Sequence, residues 1–358
     1  MARLLAAMSG GVDSSVAAAL AVRAGHEVVG ATLKQWEFPD EEARLTKGCC
    51  TLDAVADARR AADVIGIPHY TFDFREVFAR EVVDPFISDY ANGLTPNPCV
   101  RCNELVRFGA LADKARLLAF DGLVTGHYAR VSHDAQGVGH LFRARNADKD
   151  QSYVLYALGQ SALAQATFPI GEVPTKDAVR ATARDLGLPN ADREDSLEVC
   201  FVGEGRRPGD VVAERVPVAV RRGPIVDDSG AVVGEHRGLA YYTVGQRRGL
   251  GAIAAEPRYV TRLDLERNAV VIGADEALGV AHLEATRARF VSGAAPADGE
   301  CFDAVVRYRA DPVPATYVDG GDGFRLEFDR PVRAVAPGQA VVLYRNDEVI
   351  GGGTIVRE

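Results

Sequence analysis

The first part of the chain alternates short apolar runs with longer amphipathic stretches. Residues 4–8 have the length of a buried strand, and the alanine-rich stretch 16–24 is typical of a helix, which Gly25 would end. The same order recurs downstream, with strands predicted at 26–34, 69–74 and 122–125 and helices at 51–65, 78–90 and 105–119. This alternation predicts an α/β fold, a doubly wound parallel sheet with helices on both faces.

The pattern changes after about residue 206. Short alternating runs, at 224–226 and 269–272 for example, are separated by turn sequences, which indicates β structure. We therefore predict a catalytic α/β domain at 1–205, a mostly-β central domain at 206–279 and a C-terminal β-barrel at 280–358. Within the first domain we expect a surface hairpin at 131–145, a helix at 175–186 and a short strand that carries Cys200. The helical region at 165–187 is expected to pack either in the first domain or with the central one.

Composition and charge fit a soluble enzyme. The 358 residues are 47% hydrophobic and 25% charged, and no apolar run approaches the roughly 18 residues that span a bilayer. We find no leader pattern at the N-terminus and expect a cytoplasmic protein without a membrane partner. The net charge of −9 argues against a general polyanion binder, but residues 206–262 hold an excess of arginine. That excess fits an RNA-binding face and an ordinary solvated face about equally well.

A glycine- and serine-rich turn, SGGVDSS at 9–15, lies between the first predicted strand and helix. Small residues let backbone N–H groups approach phosphate oxygens, and the helix N-terminus adds partial positive charge. The lysine of the Walker loop and the G-x-G-x-x-G spacing are both missing. The turn resembles the pyrophosphate loop of enzymes that split ATP into AMP and pyrophosphate. The alternative is a simple glycine turn before a serine-capped helix.

Three of the six cysteines are candidates for chemistry. Cys99 and Cys102 form a C-x-x-C pair in a proline-broken polar stretch, which suits a redox pair, half of a zinc site or two ligands of an iron–sulfur cluster. The adjacent pair Cys49-Cys50 lacks the spacing of a second zinc pair. Cys200 is either a packed small side chain or, beside a phosphate-binding helix terminus, a thiol of lowered pKa and a usable nucleophile. The sequence does not show whether Cys200 approaches Cys102.

The remaining histidines and cysteines carry weaker signals. His127 ends a predicted strand at the edge where ligands bind, so it either contacts nucleotide or closes the turn. We expect His26 and His69 to be structural and Cys301 to lie in the barrel core, because it alternates within a β run.

Taken together, these motifs resemble the tRNA-specific 2-thiouridylases of the MnmA/TrmU type, within the N-type ATP pyrophosphatase superfamily. The resemblance runs from residue 3 to about residue 350. It is carried by SGGVDSS at 9–15, TPNP at 95–98 with CN at 102–103, TGHYA at 125–129, KDQSY at 149–153, DS at 195–196 with CF at 200–201, GEH at 234–236 and YTVGQRRGL at 242–250.

The resemblance implies a sulfurtransferase that uses ATP with Mg²⁺. It would adenylate C2 of the wobble uridine in tRNA and exchange the oxygen for sulfur, releasing AMP and pyrophosphate. Cys200 matches the persulfide carrier, loaded by a cysteine desulfurase or a sulfur-relay protein. Cys102 matches the nucleophile that attacks it, freeing sulfur or forming a disulfide with Cys200.

The resemblance also implies two sets of binding residues. The ATP-binding positions are Ala6, Ala7, Met8, Ser9, Gly10, Gly11, Val12, Asp13, Ser14, Leu33 and Gly126. The tRNA-binding positions are Asn97, Pro98, Cys99, Lys149, Asp150, Gln151, Arg307, Tyr308 and Arg309.

One departure from the family pattern concerns Cys99. Many members have aspartate there, so an acid–base role of that aspartate does not carry over. Cys99, Cys102 and Cys200 are instead an alternative set of ligands for a [4Fe–4S] cluster. Two other functions stay open from the sequence: a ligase of the same ATP superfamily that needs no paired thiols, and an RNA-binding protein without catalytic activity.

Overall fold

The computed structural model describes residues 1–37, 52–194, 199–203, 205–250 and 256–357. Cys49, Cys50, Asp195 and Ser196, which the sequence singled out, lie outside the described residues. The N-terminal half contains a parallel sheet in the order β3-β2-β1-β4-β7, and this confirms the doubly wound α/β prediction. The strands of this half are β1 (Arg3–Ala7), β2 (Glu27–Lys34), β3 (His69–Asp73), β4 (Gly122–Thr125), β5 (Ala129–His133), β6 (Gly139–Arg143) and β7 (Ala166–Thr167).

Helices cover both faces of this sheet. Successive residues of β1 point to opposite sides, so that Leu5 joins one apolar cluster and Leu4 and Ala6 join another. The described helices are α1 (Val12–Arg23), α2 (Leu52–Ile65), α3 (Arg75–Phe78, Ala79–Val83 and Asp84–Ala91, continuous), α4 (Pro98–Arg101, Cys102–Leu111 and Ala112–Leu117, continuous), α5 (Gln160–Leu163), α6 (Lys176–Asp185) and α7 (Pro208–Arg215). The middle segments of α3 and α4 are π-helical.

Helix α4 corrects the prediction for the C-x-x-C pair. It begins at Pro98, seven residues before the predicted start, so Cys99 and Cys102 lie on its first turns and not in a loop. Asn97 is the N-cap, and its side-chain oxygen accepts a hydrogen bond from the Cys99 N–H at 3.1 Å. Proline is favoured at the first helical position because no intrahelical partner awaits its missing N–H. Pro98 therefore starts a helix in the stretch that the sequence predicted to be a proline-broken loop.

The second half of the chain is mostly β structure, as predicted. A four-stranded sheet has the order β10-β11-β8-β9, in which β11 and β8 are parallel and the other pairs antiparallel. Six further strands form a barrel in the order β12-β15-β14-β13-β16-β17, closed by pairing of β12 with β17. The strands are β8 (Gly223–Val226), β9 (Val232–His236), β10 (Tyr259–Asp264), β11 (Ala269–Gly273), β12 (Gly279–Phe290), β13 (Cys301–Val305), β14 (Val313–Asp319), β15 (Gly323–Arg333), β16 (Ala340–Arg345) and β17 (Glu348–Ile355).

The hairpin predicted at 131–145 is present as β5–β6, but it is not isolated on the surface. Its second strand pairs with β17, with Leu141 opposite Val349, so it extends the barrel sheet. Leu141 and Val349 are both fully buried. His140 and Glu348 bridge the same junction at 2.7 Å. The α/β half and the barrel therefore share a continuous sheet.

Two further predictions about cysteines are wrong. Cys301 is exposed at the start of β13, and it is the neighbouring Phe302 that lies in the barrel core. In a strand a shift of one residue exchanges the buried and exposed faces. Cys200 lies in a turn and not in a strand. Among the helices that the structure describes, none is long and apolar enough to cross a membrane.

Candidate active site

The turn between β1 and α1 has the geometry of an anion loop. Gly10 has a φ of +79°, and a Cβ there would come within 2.9 Å of the Ala54 carbonyl carbon. The Ser14 hydroxyl donates to the Gly11 carbonyl at 3.0 Å and accepts from the Ser9 N–H at 3.1 Å, which curls the turn around the start of α1. The loop therefore lies at the N-terminus of α1, where anions bind favourably.

The end of β4 closes the loop from the other side. A Cβ on Gly126 would lie 2.6 Å from the Ser14 nitrogen and 2.7 Å from the Asp13 carbonyl carbon. Only glycine permits this close approach of two backbones. The carboxyl end of β4 and the N-terminus of α1 therefore form one continuous surface, which we call the nucleotide wall: residues 7–14 with Gly126.

Asp13 on this wall has two partners from distant parts of the chain. The Lys176 ammonium, at the start of α6, lies 2.8 Å from both carboxylate oxygens. The Tyr128 hydroxyl donates to Asp13 Oδ1, also at 2.8 Å. Sequence reasoning missed Lys176, since its only local signal was a place after the Thr175 N-cap.

A cavity of about 640 Å³ opens in front of the nucleotide wall. Of the predicted ATP-binding positions, Leu33 and all of the nucleotide wall except Gly10 line it, whereas Ala6 and Gly10 lie behind the surface. A second part of the lining, which we call the thiol wall, consists of Asn97, Pro98, Cys99, Val199, Cys200, Tyr308, Arg309 and Gln339. Lys149 and Gln151 line the cavity as well.

Cys99 and Cys200 reach the thiol wall from two separate elements. Cys99 is exposed near the start of α4, and Cys200 is half-buried in a turn. The turn is anchored by the adjacent Phe201, a fully buried ring whose centroid lies 4.9 Å from Phe86 and 5.7 Å from Phe78. This anchor fixes the position of Cys200 next to the cavity.

Cys102 lies behind the thiol wall. It is 9% exposed and belongs to the apolar cluster against which Cys200 packs. Its sulfur accepts a hydrogen bond from Gln35 Nε2 at 3.6 Å. The three thiols do not fit the [4Fe–4S] ligand set, because within the described ranges they form no group able to hold a metal ion and Cys102 is turned into the core.

Two of the predicted tRNA-binding side chains do not line the cavity: Asp150 and Arg307. The Asp150 carboxylate faces inward and accepts hydrogen bonds from the Ala144 N–H at 2.9 Å and the Ser152 hydroxyl at 2.7 Å. It therefore shapes the segment that presents Lys149 and Gln151.

His127 closes its turn and also lines the cavity, and a contact with nucleotide stays a prediction. Its ring is buried, with Nδ1 2.7 Å from the Thr125 hydroxyl and Nε2 3.3 Å from Arg107. Burial, with a smaller contribution from the charge of Arg107, lowers the pKa of His127 to about 3. The imidazole is neutral at physiological pH.

The barrel holds the segment that precedes α4. The Gln339 side chain donates to the Thr95 carbonyl at 2.7 Å, and the Thr95 N–H donates to the Pro337 carbonyl at 2.8 Å. Thr243, in the segment between β9 and β10, contacts the Thr95 hydroxyl through its own hydroxyl. Nothing in the local sequence around Gln339 indicated this contact. The thiol wall thus depends on all three parts of the fold.

The fold and site define an ATP-utilising HUP-domain protein followed by two β domains. Three family models match in succession: "tRNA methyl transferase HUP domain" at 2–204, "tRNA methyl transferase PRC-barrel domain" at 209–274 and "Aminomethyltransferase beta-barrel domain" at 280–355. Similar full-length proteins are named tRNA-specific 2-thiouridylase MnmA. That of Chloroflexus aurantiacus is 48% identical over 358 residues, covering all of this chain and 99% of that protein. That of Moorella thermoacetica is 48% identical over 354 residues, covering 98% of each. The chain belongs to the tRNA-specific 2-thiouridylase family.

Among solved structures, a 4-thiouridine synthetase–RNA complex with bound ATP overlaps 61% of this chain and 51% of that one, at 13% identity and a TM-score of 0.35. An NMN synthetase from Francisella tularensis overlaps 60% of this chain and 76% of that one, at 15% identity and a TM-score of 0.32.

Proposed function

We propose that this protein is an ATP-dependent tRNA 2-thiouridylase, a sulfurtransferase that replaces O2 of the wobble uridine with sulfur. The observation that carries the proposal is the shared cavity, which is lined both by the anion loop and by the Cys200 thiol. Its volume lies within the range of small-molecule sites, roughly 300–1,000 Å³. An activated oxygen and a sulfur nucleophile can therefore meet in one enclosure.

In the first step the nucleotide wall binds the ATP phosphates through backbone N–H groups of the loop. O2 of the uridine attacks the α-phosphorus, the bond to the β-phosphate oxygen breaks, and pyrophosphate leaves with that electron pair. The loop N–H groups stabilise the charge that develops on pyrophosphate. We take Mg²⁺ to arrive bound to the ATP phosphates, as part of the substrate.

In the second step sulfur enters from the thiol wall. The terminal sulfur of a persulfide on Cys200 attacks C2, and AMP leaves with the former uridine oxygen. The Cys102 thiolate then attacks the Cys200 sulfur, which breaks the S–S bond, leaves sulfur on the base and forms a Cys102–Cys200 disulfide. Two electrons from an external thiol restore both cysteines. Cys102 belongs to the apolar cluster against which Cys200 packs, and this supports an exchange between their two sulfur atoms.

The tRNA would enter across the thiol wall. Asn97, Pro98 and Cys99 would meet the flipped base, and their position in the cavity lining at the start of α4 supports this role. Lys149 and Arg309 bring positive charge to the same opening, and the Arg309 guanidinium lies 5.3 Å from the centre of the Tyr308 ring. These groups suit a phosphate backbone and a stacked base.

The sulfur donor in this proposal is a persulfide-bearing protein, a cysteine desulfurase or a relay partner. It must reach Cys200, which is half-buried but lines the open cavity. The central and barrel domains would hold the rest of the tRNA. Transfer through a [4Fe–4S] cluster is not part of the proposal, because the three thiols do not converge.

The test combines the protein with ATP, a persulfide donor and unmodified tRNA, followed by mass analysis of the digested RNA. Wild type should yield 2-thiouridine, and Cys200→Ser should lower the yield by about 10³-fold or more, because the group that carries the sulfur is gone. Pyrophosphate release should persist in Cys200→Ser, since the nucleotide wall is intact.

Cys301→Ser is the matched control, because Cys301 is an exposed thiol at the edge of the barrel core and outside the cavity. It should thiolate tRNA at the wild-type rate. Full 2-thiouridine product from both Cys102→Ser and Cys200→Ser would contradict the proposed sulfur transfer through these two thiols.

A further inference from the structure

A second, smaller cavity of about 230 Å³ lies beside the active-site cavity, between α4 and the barrel. Pro96 and Asn97, which line the larger cavity, line this one as well. Most small-molecule sites measure roughly 300–1,000 Å³, so the smaller cavity suits a single group such as a phosphate and not a whole nucleotide. We call it the arginine pocket, because three arginines line it: Arg101, Arg287 and Arg289.

Arg287 lies on a β-bulge with an unfavourable backbone conformation. The register of β12 against β17 shifts between residues 286 and 289, so that Arg287 and Ala288 stand opposite one residue of β17. The φ of Arg287 is +52°, which is strained for a residue with a Cβ and is usually taken by glycine at such a bulge. Bulges next to active sites often redirect a side chain. A side chain that is kept where glycine would remove the strain is a candidate for a function.

The three guanidinium groups of the pocket differ in how they are held. Arg101 Nε donates to the Glu81 carbonyl at 2.8 Å, and Arg289 Nε lies 3.3 Å from the Glu104 carboxylate. Arg287 is exposed, and its guanidinium makes no hydrogen bond or ion pair with any residue that the structure describes. Its N–H donors are therefore available to a ligand.

The charge of the pocket favours an anion. Two carboxylates, of Asp89 and Glu104, lie among the three arginines, which leaves a formal charge of +1. Glu104 is paired with Arg289. Burial raises the pKa of Asp89 above its ordinary value, and the charges of Arg287 and Arg101 oppose this rise. Guanidinium groups match phosphate well, because two parallel N–H groups can donate to two of its oxygens.

We propose that the arginine pocket binds a backbone phosphate of the RNA strand, next to the nucleotide whose base enters the active-site cavity, with Arg287 as the main donor. This rests on the proposed function only in taking RNA as the substrate. Because Pro96 and Asn97 border both cavities, a strand that delivers its base to the larger one passes the smaller one within about a nucleotide. An acidic side chain of the sulfur donor fits less well, since the donor must reach Cys200, which lines only the larger cavity.

The experiment measures binding of an unmodified anticodon stem–loop RNA with a wobble uridine to the full-length protein, by fluorescence anisotropy. Arg287→Gly should weaken binding about 5- to 30-fold, because a charged hydrogen-bonding partner is lost. The slope of log affinity against log salt should become shallower by about 0.7, as expected for one phosphate contact on a single strand. The urea midpoint should not fall, because glycine relieves the strain at 287. Arg287→Lys should keep the salt slope but lose part of the affinity, since it keeps the charge without the planar fork.

The matched control is Arg330→Ala. Arg330 is also an exposed arginine of the barrel, on β15, but it lines neither cavity. Its loss should leave the RNA affinity within about twofold of wild type and the salt slope unchanged.

A change in the RNA tests the contact from the other side. Each of the two phosphates that flank the wobble uridine is replaced in turn by a neutral methylphosphonate. One replacement should weaken wild-type binding about as much as Arg287→Gly does, and should weaken binding by the variant no more than about twofold further. The proposal is overturned if Arg287→Gly binds the RNA like wild type, if neither replacement matters, or if the two losses add in full.

The same variants distinguish an RNA contact from a protein contact. Unchanged RNA binding by Arg287→Gly together with slower persulfide loading of Cys200 would overturn the proposal in favour of a docking site for the sulfur donor. RNA binding is measured without ATP or sulfur, so a negative result here leaves the proposed thiolation standing. A lack of thiolated product would in turn leave these affinities unchanged.

Discussion

The two walls of the cavity are built in different ways. The nucleotide wall comes from one strand, turn and helix that are contiguous in sequence, closed by Gly126. The thiol wall takes Cys99 from α4, Cys200 from a turn about 100 residues later, and Tyr308, Arg309 and Gln339 from the barrel. One wall is thus set by local backbone geometry, and the other by how separate parts of the chain pack together.

This difference predicts which kind of substitution should disturb each wall. A local wall fails when its own backbone is disturbed, even by a single added methyl group. An assembled wall fails when a distant contact is lost, while the ATP site stays intact. Substitutions in either wall should therefore affect separate steps of the reaction.

Among substitutions of residues that shape the two walls, the largest effect is expected for Gly10→Ala. An added Cβ would collide with the backbone of Ala54, in addition to the cost of a φ of +79°. We expect ATP binding to weaken about 100-fold or more, with a loss of roughly 2–4 kcal/mol in unfolding free energy. Titration with ATP and urea unfolding would measure both.

The matched control is Gly25→Ala. Gly25 has a similar φ of +85°, but nothing lies within 4 Å of its Cβ position. It should cost only the backbone term of about 1 kcal/mol and leave ATP binding unchanged. Equal effects of the two variants would show that the close approach to Ala54 does not matter.

A smaller effect is expected for Gln339→Ala on the thiol wall. The side chain donates to the Thr95 carbonyl, and its loss leaves the segment before Asn97 and Pro98 less constrained. We expect thiolation to fall roughly tenfold, since small misplacements of reacting groups are costly, while ATP affinity stays at the wild-type value. Single-turnover thiolation and ATP titration separate the two.

Gln165→Ala serves as its control. That amide also donates to a main-chain carbonyl, of Ser161 at 3.0 Å, but outside the cavity lining. It should leave both measurements unchanged. A drop in ATP affinity with Gln339→Ala would contradict the expectation that the two walls affect separate steps.

The sequence predicts the local parts of this molecule well. The α/β alternation, the anion loop and the β-rich second half all follow from short-range patterns, and the structure confirms this fold. The start of α4 was misjudged because two prolines were taken as breakers, whereas Asn97 caps the helix and Pro98 occupies its first position. Cys301 was placed in the core because its strand was read one residue out of register.

The site residues show the same difference between local patterns, which the sequence reveals, and distant contacts, which it does not. The loop residues were found because strand, glycine turn and helix are consecutive. Lys176 and Gln339 were missed because their partners, Asp13 and Thr95, lie 163 and 244 positions away. No local pattern reports such contacts. The functional roles of the site residues themselves stay predictions until the variants are measured.

The smallest expected effect concerns the junction between the hairpin and the barrel. Glu348 and Asp134 flank His140, and the hydrogen bond to Glu348 is the main cause that raises the pKa of His140 above 6.5. The folded protein therefore binds this proton more tightly than the unfolded chain does. The stabilisation is fully present below pH 6.5 and is lost as the pH rises through the raised pKa.

Because about a third of the His140 side chain is exposed, solvent screening limits this stabilisation to a few tenths of a kcal/mol. Urea unfolding of wild type and His140→Gln between pH 6 and pH 8.5 measures it. The stability difference between them should shrink as the pH rises, and a constant difference would mean that the charged pair contributes nothing. If the junction also orients the thiol wall, single-turnover thiolation in wild type should fall over the same range relative to His140→Gln, whereas ATP affinity should not, because the nucleotide wall has no part in that junction.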